Sequence, residues 1–144
     1  MTGNTHKNRM TFAMLICGAA FAIHCGDDAS ENLPAEEIEV IGTWSTNFDT
    51  EEEITVDRWN DLTIVQFDNA ENLAIGQHPA DDEYNPSKFS KLVWTSIEND
   101  VFHYCYSVVG AETAAEATSA AGAADAGDLE GGCNGFGWTE MTRK

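Results

Sequence analysis

From Ile38 onward the chain is broken into short apolar–polar alternations separated by turn residues, and that rhythm restricts it to an antiparallel β architecture. Ile38, Val40, Gly42 and Trp44 keep one phase, and Thr46-Asn47-Phe48-Asp49 interrupts it. Glu53 to Trp59 reads as a second strand, with Ile54 and Val56 on one face. Asn60-Asp61 suits a tight hairpin into Leu62–Phe67, and Asp68 to Asn72 connects that strand to Leu73–Gln77. A loop from His78 to Ser87 carries Pro79, Pro86 and the acids Asp81, Asp82 and Glu83. Lys88 to Ile97 and Val101 to Val109 are the next strands, turning at Glu98-Asn99-Asp100. On the latter, Phe102, Tyr104, Tyr106 and Val108 share one face, while His103, Cys105 and Ser107 share the other.

After Gly110 the pattern changes. The alanine-rich run Ala111–Ala124 reads as a short helix, with Glu112 and Glu116 one turn apart, or alternatively as a flexible linker. A glycine-rich return, Asp125 to Gly137, leads to a last strand that includes Trp138 and Met141. The expectation is a mainly β domain over residues 37–144: a small meander barrel or tight two-layer sheet of six or seven strands with one helix. Its four tryptophans, Trp44, Trp59, Trp94 and Trp138, either fill the interior or line a pocket.

The start of the chain obeys different rules. His6, Lys7 and Arg9 precede an apolar run from Met10 to Ile23, which is shorter than the about 20 residues a spanning helix needs and fits a signal peptide over residues 1–25. Ala20-Phe21-Ala22 permits cleavage before Ile23. Ala22-Ile23-His24-Cys25 resembles a lipobox, which implies a lipid on Cys25 and an anchor in a membrane of the cell envelope. The polar stretch 26–36 reads as a disordered tether. Free secretion is the alternative location.

Export also assigns the cysteines. Cys105 and Cys133 remain after the signal, and an oxidising compartment pairs them. Closing a loop of roughly 30 residues stabilises a fold by about 3–4 kcal/mol. The formal charge is −18, and becomes −20 once Lys7 and Arg9 leave with the signal. Such a surface repels nucleic acid.

Two resemblances accompany this pattern. Gly42-Thr43-Trp44 resembles the G-x-W opening of lipocalin-like and avidin-like proteins, the calycins. That likeness implies a barrel closed at one end by the tryptophan, whose mouth takes a small apolar ligand; together with the aromatic count it makes Trp44 and Trp94 the expected pocket contributors. Ile41–Trp44, Asn85–Phe89, Leu92–Thr95, Phe102–Cys105 and Gly132–Thr139, in that order, resemble a recurrent module of bacterial lipoproteins with no assigned activity. This second likeness implies export, the disulfide and a single domain, and it supplies no catalytic residues.

The chain carries no G-x-S-x-G, S-x-x-K or H-E-x-x-H, and its glycines lack a phosphate-loop ending. His78 and His103 read as surface or packed side chains. Glu51-Glu52-Glu53 cannot converge on one ion from a strand, whereas Asp81, Asp82 and Glu83 with Asn85 leave a calcium loop open. The expectation is a protein with no enzymatic activity, cofactor or metal, which binds a small apolar ligand or presents its acidic surface to a basic protein partner.

Overall fold

The computed structural model describes residues 36–144, so the signal peptide, Cys25 and all but the last residue of the tether lie outside the described residues. Eight strands run in sequence order: β1 (Gly42–Thr46), β2 (Glu51–Ile54), β3 (Arg58–Trp59), β4 (Leu62–Asp68), β5 (Leu73–Gln77), β6 (Phe89–Trp94), β7 (Val101–Ala111) and β8 (Thr139–Arg143). Each pairs antiparallel with its neighbour, and β8 returns to β1 through Trp44↔Arg143 and Thr46↔Met141, closing a barrel. Closure pairs the first and last strands and removes the free sheet edges that invite association.

The count of eight corrects the expected six or seven. The segment read as one strand from Glu53 to Trp59 is two, β2 and β3, joined by a corner at Thr55–Asp57. There the Thr55 hydroxyl donates to Asp57 Oδ1 at 3.0 Å, and the Thr55 amide donates to the Arg58 carbonyl at 2.8 Å. Val56 therefore sits on the corner and is exposed, while Ile54 faces the core. A small barrel must bend sharply as it closes, and alternation alone does not reveal where.

The turns lie where the polar residues placed them. Asn60, Asn72, Asn99 and Asp100 all adopt positive φ, which Asn and Asp tolerate better than most residues. Two consecutive positive-φ residues at Asn99-Asp100 give the twist that a two-residue hairpin connection requires.

The interior is filled by side chains from alternate strand positions. Trp44, Ile54, Trp59, Leu92, Phe102 and Met141 are all buried to within about 1 %. Trp44 meets Phe102 edge-on with centroids 4.6 Å apart, and Trp59 packs on Tyr104 at 5.0 Å. An eight-stranded barrel is just wide enough for side chains to fill or for one small ligand. Here the aromatic rings take the central space.

One end is plugged by the chain before β1. Ile38 and Val40 are fully buried without belonging to any strand, which corrects their place in the first alternation. The Trp44 indole N–H donates to the Val40 carbonyl at 2.9 Å, and the Trp94 indole N–H donates to Glu39 Oε1 at 2.7 Å. Asn69 clamps the same segment, accepting from the Glu39 amide and donating to the Glu37 carbonyl.

Between β7 and β8 the chain leaves the barrel. Its helix α1 (Ala114–Ser119) is shorter than the expected Ala111–Ala124, because β7 continues to Ala111 and the chain turns extended at Ala120. A capping box between Thr113 and Glu116 starts it, and Ala117 is its buried contact with the sheet. The helix lies against β5, β6 and β7 and covers the outward-facing Ile75. The return is tied down by the Cys105–Cys133 disulfide, with Cα atoms 5.6 Å apart. Only glycine fits at 132, where a Cβ would lie 2.1 Å from the Asp125 carbonyl oxygen.

Candidate functional site

The end of the barrel opposite the Ile38–Val40 plug is formed by the β3–β4 turn, the loop after β5, and the inward residues of β2, β6 and β7. These elements surround a mouth of about 240 Å³ lined by Trp59, Leu62, His78, Asp82, Tyr106 and the turn residues Asn60 and Asp61. Glycine at 76 allows Leu62 to cross this layer, since a Cβ there would come within 3.0 Å of Leu62 Cδ1.

Below the mouth lies Glu52, a carboxylate inside the barrel at 8 % exposure. Trp59 Nε1–H donates to its Oε2 at 2.9 Å, and the Tyr104 hydroxyl donates to its Oε1 at 2.7 Å. A buried charge is costly unless hydrogen bonds or a counter-charge compensate it. Both donors here are neutral, and no Lys or Arg among the described residues pairs with Glu52. Burial pushes the Tyr104 phenol well above its ordinary value, and the charge of Glu52 adds to that shift. Tyr106 is raised in the same way, by burial first and then by the charges of Glu52 and Asp82. Its hydroxyl makes no hydrogen bond among the described residues, and it borders the mouth.

At the rim, His78 links two elements. Its Nε2 is 2.7 Å from Ser90 Oγ and its Nδ1 is 3.2 Å from Asp82 Oδ2. Asp82 also accepts from the amides of Asn85 and Tyr84 at 2.6 and 2.9 Å. Those backbone donors, Asn85 first, hold its carboxyl below the ordinary range, and His78 contributes further. The order serine–histidine–aspartate is that of a hydrolytic triad. Ser90, however, is 0 % exposed and points into the barrel beside Leu92, so no carbonyl can approach its Oγ. As built, the chain of bonds anchors the loop 78–88 to β6.

The residues singled out from sequence are distributed differently. Trp44 and Trp94 sit in the core at 0 % and 3 % exposure, toward the plugged end, and neither lines the mouth. The Arg143 guanidinium covers the Trp44 ring at 4.2 Å. Cys105 and Cys133 form the disulfide, whereas Cys25 is outside the described residues. Asp82 is turned into its own loop, and among the described residues no group of three or more His, Cys, Asp or Glu is placed to hold a metal. His103 lies on the outer face with Nε2 3.4 Å from Glu140, beside a second, more open groove of about 590 Å³ between the β6–β7 turn and Leu129.

Glu52 and Tyr106 were not singled out, although the signal for both was present. Glu52 is two residues from Ile54 and shares its inward phase, and Tyr106 continues the phase of Phe102 and Tyr104. No protein-family model matches this chain, nor does any curated protein or solved structure.

Proposed function

We propose that the protein is a binding module of the bacterial cell envelope, held to a membrane by a lipid on Cys25 and without catalytic activity, whose acidic barrel engages a basic protein partner. The observation that carries this reading is the charge of the folded part. Residues 36–144 contain 22 Asp and Glu against 5 Lys and Arg. Those five bases are already engaged. Lys88 pairs with Glu112, Arg143 with Asp100 and Lys144 with Glu51. Lys91 donates to the Ala120 carbonyl, and Arg58 to the carbonyls of Asn60 and Asp61. The remaining carboxylates present a field of one sign, which steers a cationic partner and repels anionic ones.

A small apolar ligand has less support. It needs space in the barrel that Trp44, Trp59, Phe102 and Leu92 occupy, and the pocket contributors Trp44 and Trp94 are spent on the core. The lipid anchor rests on the Cys25 sequence pattern alone.

Selection of peptides from a random library on the full-length protein tests this function. Selected peptides are expected to be basic, to bind more tightly than scrambled versions of the same composition, and to weaken as salt rises. Equal binding by the scrambled peptides would reduce the interaction to nonspecific attraction and overturn the proposal.

A further inference from the structure

We infer that the barrel mouth is a receptor for one cationic side chain, the ammonium of a lysine or the guanidinium of an arginine, presented by the basic partner. This rests on the proposed function and locates it on the protein.

Three features converge on that occupant. The first is an uncompensated buried charge. Glu52 is more than nine-tenths buried, both of its oxygens accept from neutral donors, and no cation among the described residues balances it. Neutral donors stabilise a carboxylate locally but leave its net charge acting on the space above. The second is the Tyr106 hydroxyl, which borders the mouth without a hydrogen-bond partner among the described residues and feels the negative charges of both Glu52 and Asp82. A phenol oxygen that borders the mouth without a partner is placed to accept from a cationic N–H. The third is the wall. Tyr106 supplies aromatic surface, and Asp61 and Asp82 supply charge at the rim. Aromatic faces beside carboxylates bind organic cations through cation–π attraction and charge-assisted hydrogen bonds together.

Competing occupants fit less well. An anion meets the carboxylates of Asp61 and Asp82. A bare metal ion lacks a ligand set, since no group of three or more His, Cys, Asp or Glu among the described residues can hold one. A volume of about 240 Å³ suits one side-chain head group rather than a folded segment.

The test is an NMR titration of the full-length protein in non-ionic micelles with N-acetyl-arginine methylamide, using its neutral isostere N-acetyl-citrulline methylamide as control. The Trp59 indole N–H reports directly on the site because it is bonded to Glu52. The arginine probe is expected to shift that resonance saturably and the citrulline probe to leave it in place. Tyr106→Phe and Glu52→Gln are each expected to weaken binding by about tenfold, which is about 1.4 kcal/mol. Tyr106→Phe is the variant that keeps the fold, should Glu52→Gln unfold it. Equal shifts with both probes, or unchanged affinity in Tyr106→Phe, would overturn the inference. Tighter binding by an alkylguanidine lacking the peptide part would assign the mouth to a free small organic cation and overturn the side-chain assignment. If a selected basic peptide binds while Trp59 and Tyr106 resonances stay fixed, the mouth is excluded but the proposed function survives. If no basic peptide binds, both fail.

Discussion

Glu52 offers the sharpest energetic test, because two opposing effects act on one side chain. Its burial costs desolvation, while hydrogen bonds from Trp59 at 2.9 Å and Tyr104 at 2.7 Å offset that cost. Hydrogen bonds to a charged group contribute about 1.5–3 kcal/mol each. Tyr104→Phe removes one donor and leaves the carboxylate with Trp59 alone, so it should cost about that much. Glu52→Gln keeps the shape, but its amide turns a donor toward one of the two remaining donors. Leaving such groups unpaired costs about 1–3 kcal/mol. In the double variant the glutamine oxygen can face Trp59 while its amide nitrogen faces the space the tyrosine hydroxyl vacated. The double variant should therefore lose less than the sum, with a coupling energy of about 1.5–3 kcal/mol. A domain this size has a total stability of about 5–15 kcal/mol, so each single variant remains folded. Urea unfolding followed by tryptophan fluorescence measures all four corners of the cycle, with an unchanged slope confirming that the same transition is compared. Additivity within about 0.5 kcal/mol would refute the reasoning. A stabilising Glu52→Gln would show that desolvation outweighs both donors.

The remaining expectations concern other parts of the barrel. The folded-state phenols of Tyr104 and Tyr106 are raised above the ordinary 10.0, so the unfolded chain gives up these protons first and stability falls as pH rises past that value. In a spectrophotometric titration Tyr104 and Tyr106 should ionise only as circular dichroism is lost; their ionisation near the ordinary value with circular dichroism intact would contradict this. Replacing Cys105 and Cys133 together by alanine should cost about 3.5 kcal/mol for a loop of sequence separation 28, lowering the thermal midpoint by about 15 °C. A loss below about 1 kcal/mol would mean that the excursion is held by its other contacts. His78→Ala strands the buried Ser90 hydroxyl and should cost about 1–3 kcal/mol, largely recovered when Ser90→Ala is added. Labelling of Ser90 by a fluorophosphonate would refute its enclosure. Trp94→Phe releases Glu39 and should speed amide exchange at residues 37–41 without altering exchange in β7.

How far these features were legible in the sequence depended on whether the information was local. Leu73–Gln77 matches β5 residue for residue, because clear turn residues border an apolar run. The Thr55–Asp57 corner was missed for the opposite reason, since a bend demanded by closure is a property of the whole circle of strands and leaves the local alternation almost intact. Ile38 and Val40 show the same limit. Their phase said buried and was right, but the spacing of two apolar residues cannot distinguish a strand from a plug crossing the barrel's end. At the mouth, chemistry misled where geometry would have helped. Glu52 is the middle of a run of three acids, and its phase with Ile54 places it inside, with Glu51 and Glu53 outside. A polar residue in the inward phase of a strand needs an explanation, because burial without partners is costly. Trp44 and Trp94 follow from the Gly-Thr-Trp opening and the aromatic count, and large rings are what a barrel of eight short strands uses to fill its centre. What distinguishes Tyr106 from Tyr104 is only that one hydroxyl is bonded to Glu52 and the other borders open space. That difference is set by which neighbours β7 meets in the closed barrel, which no single segment encodes.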